Sequence, residues 1–189
     1  MTRLETLWLI RHGPIDAKPG LCIGWGDPPL ANEEDAEARG ERHAAMIKNA
    51  GAVYTSDLQR AVRSARPISS RLGCPLIIDK ALREIHFGAW EGKTWAEVER
   101  DFPEAYRHYM ENWRTAKMPG GESYTDLKQR VITFINKELL PTTHKCLVVV
   151  AHGGSLMAMM DQLMGSFSNA YPNKMLDRGE AAVLRNNCH

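Results

Sequence analysis

The chain has 189 residues, of which 43% are hydrophobic and 25% are charged, and its formal net charge is +1. These values are ordinary for a globular protein with a sizeable core, so we expect a single domain over residues 1–189. A net charge this close to zero gives no general attraction to nucleic acid, and no apolar run approaches the roughly 20 residues of a membrane span. We therefore expect neither a nucleic-acid partner nor a membrane partner.

Cysteine usage and the start of the chain bear on the cellular compartment. The four cysteines, Cys22, Cys74, Cys146 and Cys188, are far apart and lack metal-ligand spacing. The first residues lack the pattern of a secretory leader. Reduced thiols of this kind are typical of a cytoplasmic protein, which is the location we expect, and the spacing predicts no metal site.

The first element in chain order is a short apolar run, Thr6–Ile10, that ends on Arg11, His12 and Gly13. An apolar run bounded by a turn signal is typical of a buried strand in a parallel sheet. In open α/β sheets the ligand site lies at the carboxyl ends of the strands. Arg11 and His12 are therefore predicted at the rim of a site.

Helical and extended patterns alternate in the next part of the chain. A loop rich in glycine and proline precedes a predicted surface helix over residues 32–49. A short strand is predicted over residues 52–55, and Ser56 is predicted to cap a helix that begins at Asp57. Pro67 is expected to kink or shorten that helix, because proline lacks the amide hydrogen that a helix interior needs.

Residues 94–119 combine a capping box, formed by Thr94 and Glu97, with many aromatic and basic side chains. The capping box predicts that a helix starts at this point. The segment as a whole predicts either a helical cap over the site or a helix pair packed on the core. We favour packing for most of its side chains.

The last part of the chain repeats the pattern of the first strand. The apolar run Cys146–Ala151 ends on His152, Gly153 and Gly154 and leads into a predicted helix over about 155–164. A final strand is predicted over 179–184. Because the carboxyl ends of parallel strands meet at one edge of a sheet, we expect the two imidazoles to lie together as a catalytic pair. The predicted fold is α/β with a mostly parallel central sheet.

Several segments together resemble the histidine phosphatase superfamily, the phosphoglycerate-mutase-like enzymes that phosphorylate their own histidine. The matching segments are Arg11–Gly13, Gly24–Leu30, Ser56–Ala61, Leu82–Gly92, Gly120–Ser123 and His152–Gly154. A single tripeptide is weak evidence, whereas this ordered set is strong. The resemblance implies a phosphoglycerate-mutase-like, three-layer α/β/α sandwich and an enzyme that acts on small phosphorylated substrates.

The resemblance also implies a role for each matched residue. His12 is the expected nucleophile, which attacks phosphorus and forms a phosphohistidine. Glu84 is the expected acid for the leaving alkoxide and base for the attacking water, and a protonated His152 is the third catalytic group. The groups expected to bind the phosphoryl oxygens are Arg11, Arg60, Gly24 and Gly153. No cofactor and no metal is implied.

The chain departs from the family pattern just after His12. Pro14 stands where the family often has Glu or Thr, and Ala17 and Lys18 stand where it usually has Asn. Lys18 either supplies a cationic contact in place of the asparagine or is a solvated loop lysine. His86, inside a matched segment, is assigned a structural hydrogen bond rather than a catalytic role.

Three functions remain open from the sequence: a phosphomonoesterase, a phosphoglycerate mutase, and a non-catalytic phospholigand-binding protein with a dead site. The third is disfavoured because the matched catalytic residues are all present. Mutases of the family carry a longer insertion between the acid/base glutamate and the second histidine, whereas only residues 85–151 lie between Glu84 and His152 here. This comparison favours a phosphatase.

Within the phosphatases, the stretch Tyr106–Ile135 is similar to the α-ribazole-5′-phosphate phosphatase subfamily of cobalamin synthesis. The similarity makes α-ribazole 5′-phosphate a candidate substrate, although related broad phosphatases share much of the pattern. A homodimer is left open, because the sequence does not determine the oligomeric state.

Overall fold

The computed structural model describes residues 4–163 and 175–186, which form one five-stranded sheet with helices on both faces. Within these residues the strands are β1 (Thr6–Arg11), β2 (Val53–Thr55), β3 (Leu76–Ile78), β4 (Cys146–Ala151) and β5 (Ala181–Arg185). The helices are α1 (Glu33–Met46), α2 (Gln59–Leu72), α3 (Trp95–Asp101), α4 (Pro103–Asn112), α5 (Tyr124–Phe134) and α6 (Gly153–Leu163). Short 3₁₀ turns lie at Lys80–Leu82 and Gly88–Trp90, and α5 continues into a π-helical turn at Ile135–Leu139. The predicted helix end at residue 164 and Cys188 lie outside the described residues.

The order of the strands brings the two histidine-bearing strands together. The sheet runs β3-β2-β4-β1-β5, with β1 to β4 parallel and β5 antiparallel to β1. Arg11 at the end of β1 is in register with Ala151 at the end of β4. His12 and His152 therefore leave the same edge of the sheet side by side, which confirms the predicted, mostly parallel sheet.

The two faces of the sheet carry separate hydrophobic cores, because successive residues of a strand point to opposite sides. Leu7 and Leu9 of β1 pack with side chains of α5 and α6. Ile10, which faces the other way, packs with side chains of α1 and α2. The three layers of the predicted α/β/α arrangement follow from this alternation.

Helix α2 begins later than predicted and is capped differently. Its first residue is Gln59 rather than Asp57, and the residue before it makes no side-chain cap bond. The Asp27 carboxylate, which comes from the loop before α1, accepts the Gln59 N–H at 2.6 Å instead. The N-cap residue is Leu58 rather than Ser56, and the Ser56 hydroxyl lies beside the ring of His152.

The same helix continues through Pro67 to Leu72, so the predicted shortening is wrong. The pyrrolidine ring of Pro67 packs directly on Gly40 of α1, at a point where any Cβ on residue 40 would collide with it. A proline in a helix interior costs about 3 kcal/mol. The close packing of α1 on α2 offsets that cost. The helical pattern of a single segment does not predict a contact between two helices.

Helices α3 and α5 both begin at capping boxes. The pairs are Thr94 with Glu97 and Ser123 with Asp126, and in each pair side chains satisfy the first free amides of the helix. The first of these helix starts was predicted. None of the helices in the described ranges has the length and apolar character needed to cross a bilayer.

Candidate active site

His12 and His152 form the floor of the site at the carboxyl edge of the sheet. Their ring centroids are 5.1 Å apart, with the ring planes inclined by 57°. Both rings are buried, with 3% of His12 and none of His152 exposed. The sequence therefore predicted correctly that the two imidazoles lie together.

His12 is held in one tautomer. Its Nδ1 lies 2.7 Å from the carbonyl oxygen of Gly13. A carbonyl oxygen only accepts hydrogen bonds, so Nδ1 carries the proton and Nε2 keeps its lone pair. Burial, and secondly the Arg60 guanidinium, lower the pKa of His12 to about 3. The ring is neutral at pH 7, which is the form that can act as a nucleophile.

His152 contacts Ser56, a residue that sequence reasoning had assigned to a helix cap. The Nε2 atom lies 2.7 Å from Ser56 Oγ, and the same oxygen accepts the N–H of Leu58 at 3.3 Å. Burial, followed by the charge of His12, holds the pKa of His152 well below its usual range. This environment therefore disfavours the protonated form of His152 that the family resemblance implies. Its Nδ1 is buried and has no hydrogen-bond partner among the described residues.

The guanidinium of Arg60 is 1% exposed and is fixed by the loop before α1. Nη2 donates to the carbonyl of Gly24 at 2.8 Å, and Nη1 donates to the carbonyl of Gly26 at 2.6 Å. Asp27 completes the clamp with an ion pair at 3.2 Å. The matched segment Gly24–Leu30 thus positions the arginine, a role for Asp27 that the sequence analysis did not assign.

Arg11 is anchored by the turn that precedes β5. Its Nη1 donates to the carbonyl of Leu176 at 2.7 Å. The N–H of Gly179 in turn donates to the carbonyls of Arg11 and His12, at 3.1 and 2.9 Å. Arg178 lies on this turn, lines the same cavity and helps to lower the pKa of His12. No sequence motif indicates Arg178, because the residue reaches the site only through the pairing of β1 with β5.

The Glu84 carboxylate faces the first turn of α6. It accepts the N–H of Gly154 at 3.0 and 3.2 Å and the N–H of Ile85 at 2.9 Å. A Cβ on residue 154 would collide with the carboxylate, so any residue other than glycine would displace Glu84 from this position. Gly153, the predicted phosphate-binding glycine, is buried and is not among the residues that line the cavity. Gly154 lines it instead.

Two further residues of the matched segment Leu82–Gly92 have structural roles. Glu91 accepts the N–H groups of Trp25 and Gly26, both at 2.8 Å, and so holds the loop that fixes Arg60. His86 stacks on Trp25, with ring centroids 4.4 Å apart. Lys18 is exposed and does not line the cavity, so the structure does not bring it to the site.

These side chains open into a cavity of about 380 Å³ that is lined by two chemically different groups of residues. The charged and imidazole group, which we call the polar end, consists of Arg11, His12, Arg60, Glu84 and Arg178. The aromatic group, which we call the aromatic wall, consists of Phe87, Trp95, Tyr109, Trp113 and Tyr124. Within residues 4–163 and 175–186 no group of three or more His, Cys, Asp or Glu is placed to hold a metal ion. The polar end offers cations and a neutral imidazole to a phosphoryl group.

Comparison with known proteins identifies the family of the chain. The chain matches the model of the histidine phosphatase superfamily, branch 1, over residues 7–186. It is 33% identical over 187 residues to a 2,3-bisphosphoglycerate-dependent phosphoglycerate mutase of Methylobacterium sp. (strain 4-46), covering 95% of this chain and 90% of the mutase. It is 29% identical over 174 residues to the adenosylcobalamin/alpha-ribazole phosphatase of Escherichia coli (strain K12), covering 92% and 86%.

The solved structures give the same result. The alpha-ribazole phosphatase from Shigella flexneri superposes with a TM-score of 0.81 at 27% identity, covering 94% of this chain and 89% of that one. The relatives include both phosphatases and mutases, and identities of this order do not fix a substrate. The family match nevertheless extends over almost the whole sequence, so the chain belongs to the histidine phosphatase superfamily, branch 1.

Proposed function

We propose that this enzyme hydrolyses phosphate monoesters through a phosphohistidine formed on His12. The observation that carries the proposal is the neutral ring of His12, with Nδ1–H bound to Gly13 and the Nε2 lone pair left for phosphorus. A nucleophile of this kind divides one difficult displacement into two easier steps. In the first step the bond from Nε2 to phosphorus forms while the ester oxygen leaves with its electron pair.

Charge on the transferring phosphoryl group is balanced by the cations at the polar end of the cavity. Arg11 and Arg60 are anchored by backbone carbonyls before substrate arrives, so little reorganisation is needed during the reaction. His152 supports the same role, since its buried Nδ1 has no partner among the described residues. When the Ser56 hydroxyl donates its hydrogen bond to His152 Nε2, the proton of the neutral ring is on Nδ1. Nδ1–H can then donate a hydrogen bond to a phosphoryl oxygen.

Glu84 is proposed as the acid and base. A leaving alkoxide is strongly basic and needs a proton, and the water that later attacks the phosphohistidine must lose one. Glu84 lies at the polar end with its carboxylate held by backbone amides, so it is fixed beside the reacting group. The same carboxyl gives its proton in the first step and regains one from water in the second.

Phosphoglycerate mutase is the second candidate, since a mutase is 33% identical to this chain. This chain covers 90% of the length of that mutase. The shorter connection between Glu84 and His152 therefore distinguishes a phosphatase from a mutase poorly. The aromatic wall supports hydrolysis better. A phosphoglycerate carries a carboxylate away from the reacting phosphoryl group. Among the described residues, the cations that line the cavity all belong to the polar end, and Arg114, which packs on the Trp113 ring at 4.4 Å, does not line it.

For the substrate we propose α-ribazole 5′-phosphate as the first compound to assay. Support comes from the similarity over Tyr106–Ile135 and from relatives that are named for this activity. The test is a panel of α-ribazole 5′-phosphate, 3-phosphoglycerate and sugar phosphates. We expect inorganic phosphate release, with negligible conversion of 3- to 2-phosphoglycerate, and isomerisation faster than phosphate release would identify a mutase instead.

The nucleophile is tested with His12→Ala. Quenching the wild type during turnover is expected to trap an acid-labile, alkali-stable phosphoprotein, and His12→Ala is expected to form none and to lose turnover at least about 1,000-fold. The matched control is His144→Ala, which changes an exposed imidazole before the amino end of β4. Phosphate on a serine, or undiminished turnover in His12→Ala, would refute the proposal.

A further inference from the structure

We infer that the aromatic wall selects phosphate esters whose alcohol carries a flat, uncharged aromatic or similarly apolar group. The inference rests on the proposed function for the polar end of the cavity, because the phosphoryl group must be held there for the alcohol to reach the wall. It concerns which esters are bound, and not how they are cleaved.

The first observation is where apolar surface is left exposed. Trp95, Trp113 and Met175 are 37%, 36% and 42% exposed, which is unusual for side chains of this size, and all three line the cavity. Apolar surface gathered in a concave site, rather than scattered singly, is typical of a place where a ligand covers it. The exposed rings therefore point to an apolar ligand group.

The second observation is that the rings of the wall are packed against other rings. Trp95 stacks on Tyr109 with ring centroids 5.8 Å apart, and Tyr109 meets the edge of the buried Trp90 at 5.4 Å. Trp113 packs on Tyr124, with ring centroids 5.1 Å apart. Rings held by other rings lose little freedom when a ligand binds, so their contact area is converted into affinity with a small entropic cost.

The third observation is the distribution of charge. The charged side chains that line the cavity in the described residues are Arg11, Arg60, Glu84 and Arg178. Arg178 belongs with the phosphoryl-binding end, because its charge acts on His12, Arg11 and Arg60. Arg114 packs on the Trp113 ring at 4.4 Å but does not line the cavity. A second anionic group on a substrate inside the cavity would therefore lie against aromatic rings, where burying a charge without a partner is unfavourable.

The fourth observation is the size of the space. At about 380 Å³ the cavity falls at the lower end of small-molecule sites and is much larger than a phosphoryl group alone. The remaining volume is bounded by the wall, so the alcohol part of the ester occupies it. An aromatic ring on a short linker has the shape and the polarity that this space accepts.

Binding is tested with phosphonates that cannot be hydrolysed, so that the result does not depend on turnover. Calorimetry would compare butylphosphonate, 4-phenylbutylphosphonate and 4-carboxybutylphosphonate on the wild-type protein. We expect the phenyl compound to bind at least about tenfold more tightly than the butyl compound, from burial of the ring. The carboxylate is expected to give no gain, and equal affinity of the phenyl and butyl compounds would overturn the inference.

Two wall variants and one control locate the effect. Trp113→Ala and Trp95→Ala are expected to lower the ratio of phenyl to butyl affinity at least about threefold, because each removes part of the contact. Met110→Ala is the control, since Met110 is 58% exposed on α4 but does not line the cavity, and it is expected to leave the ratio unchanged. A ratio that is the same in all three variants and the wild type would place the ring elsewhere and contradict the inference.

A parallel assay separates this inference from the proposed function. Propyl phosphate and 3-phenylpropyl phosphate have leaving groups of nearly equal basicity, so their kcat/KM values differ only through contact with the wall. We expect 3-phenylpropyl phosphate to be favoured at least about tenfold. If the phenyl phosphonate binds tightly but no ester is hydrolysed, the inference stands and the proposed hydrolase activity fails. If both esters are hydrolysed equally, the hydrolase activity stands and the inference fails.

Discussion

Glu84 is fixed at both its carboxylate and its backbone. Its carboxylate accepts the amide of Gly154 in the first turn of α6, where the helix dipole favours a negative charge. Its backbone carbonyl accepts hydrogen bonds from Trp25 Nε1 at 2.9 Å and from Arg130 Nη2 at 2.7 Å. A residue positioned this firmly serves either as a reacting group or as an anchor for its loop, and the two roles differ in how they respond to the leaving group.

Replacing Glu84 with glutamine separates these roles. Glu84→Gln keeps an oxygen that can accept the Gly154 amide but removes the transferable proton. We expect hydrolysis of alkyl phosphates to fall about 10²- to 10⁴-fold, and hydrolysis of p-nitrophenyl phosphate to fall much less, since nitrophenolate leaves without a proton. Steady-state kinetics on both esters would measure the difference.

The control for that experiment is Glu91→Gln, which changes a carboxylate that also binds backbone amides but holds a loop. It is expected to affect both esters in similar proportion. If Glu84→Gln also lowered the hydrolysis rates of both esters in similar proportion, Glu84 would be an anchor for its loop and not the acid and base.

At the scale of single residues, the sequence predicted the location of His12, Glu84 and His152 better than that of the residues that contact them. These three are predicted because each lies in a distinctive local segment. Ser56 and Arg178 were not assigned to the site, because their contacts with it join parts of the chain far apart in sequence. Such contacts depend on strand order and loop path, which a local pattern does not encode.

At the scale of elements, α2 depends on a loop for its start. Asp27 accepts the amide of Gln59 at 2.6 Å and pairs with Arg60 at 3.2 Å, so one carboxylate both caps the helix and aims the guanidinium. A helix end without a cap of its own is satisfied here by a side chain from before α1. The stability of α2 and the geometry of the polar end are therefore coupled.

Asp27→Ala is expected to lower the free energy of unfolding by about 1 kcal/mol, the usual effect of losing a cap. It is also expected to lower kcat/KM about 10- to 100-fold, because Arg60 loses an anchor and small misplacements near the reacting group are costly. Urea unfolding and steady-state kinetics would measure the two effects.

The control for Asp27→Ala is Asp35→Ala, whose carboxylate pairs with Arg39 on the partly exposed face of α1. It is expected to change stability by less than about 0.5 kcal/mol and to leave kcat/KM unchanged. Wild-type kinetics in Asp27→Ala would contradict the positioning role of Asp27.

Residues 94–119 were predicted as either a cap or a packed helix pair, and both kinds of contact are present. Phe102 and Tyr106 pack against the core, Trp113 lines the cavity, and Tyr109 does both. A helical pattern alone does not distinguish the two, since an aromatic ring suits a core and a binding wall equally. Whether a ring lies in the core or lines the cavity depends on how completely other side chains surround it, and that is determined by the folded structure.

At the scale of the whole molecule, buried imidazoles couple stability to pH. Burial lowers the pKa of His12 to about 3 and holds the pKa of His152 well below its usual range. An unfolded histidine titrates near 6.5. Because the folded pKa values are lower, the unfolded chain binds more protons on acidification, so the contribution of both rings to stability is full above about pH 6.5 and decreases below it. For His12 the loss continues down to about pH 3.

Urea unfolding between pH 7 and pH 4 would measure this loss. Each histidine that stays neutral in the fold is expected to contribute a slope of up to about 1.4 kcal/mol per pH unit below pH 6. His12→Asn cannot titrate and is expected to reduce the slope by that amount, whereas His108→Asn, at an exposed site on α4, is the control. An unchanged slope in His12→Asn would show that the ring is protonated in the fold.

The position of β1 between β4 and β5 has a consequence for how the protein is made. The strand that carries His12 is synthesised well before both of its neighbours in the sheet, Cys146–Ala151 and Ala181–Arg185. Pairings this distant in sequence form slowly, because a long loop must close first. On a ribosome, β1 therefore has both edges unpaired until β4 and β5 have emerged, and an unpaired apolar strand is exposed to aggregation during that time. His12 and His152 come together only after β4 has been synthesised.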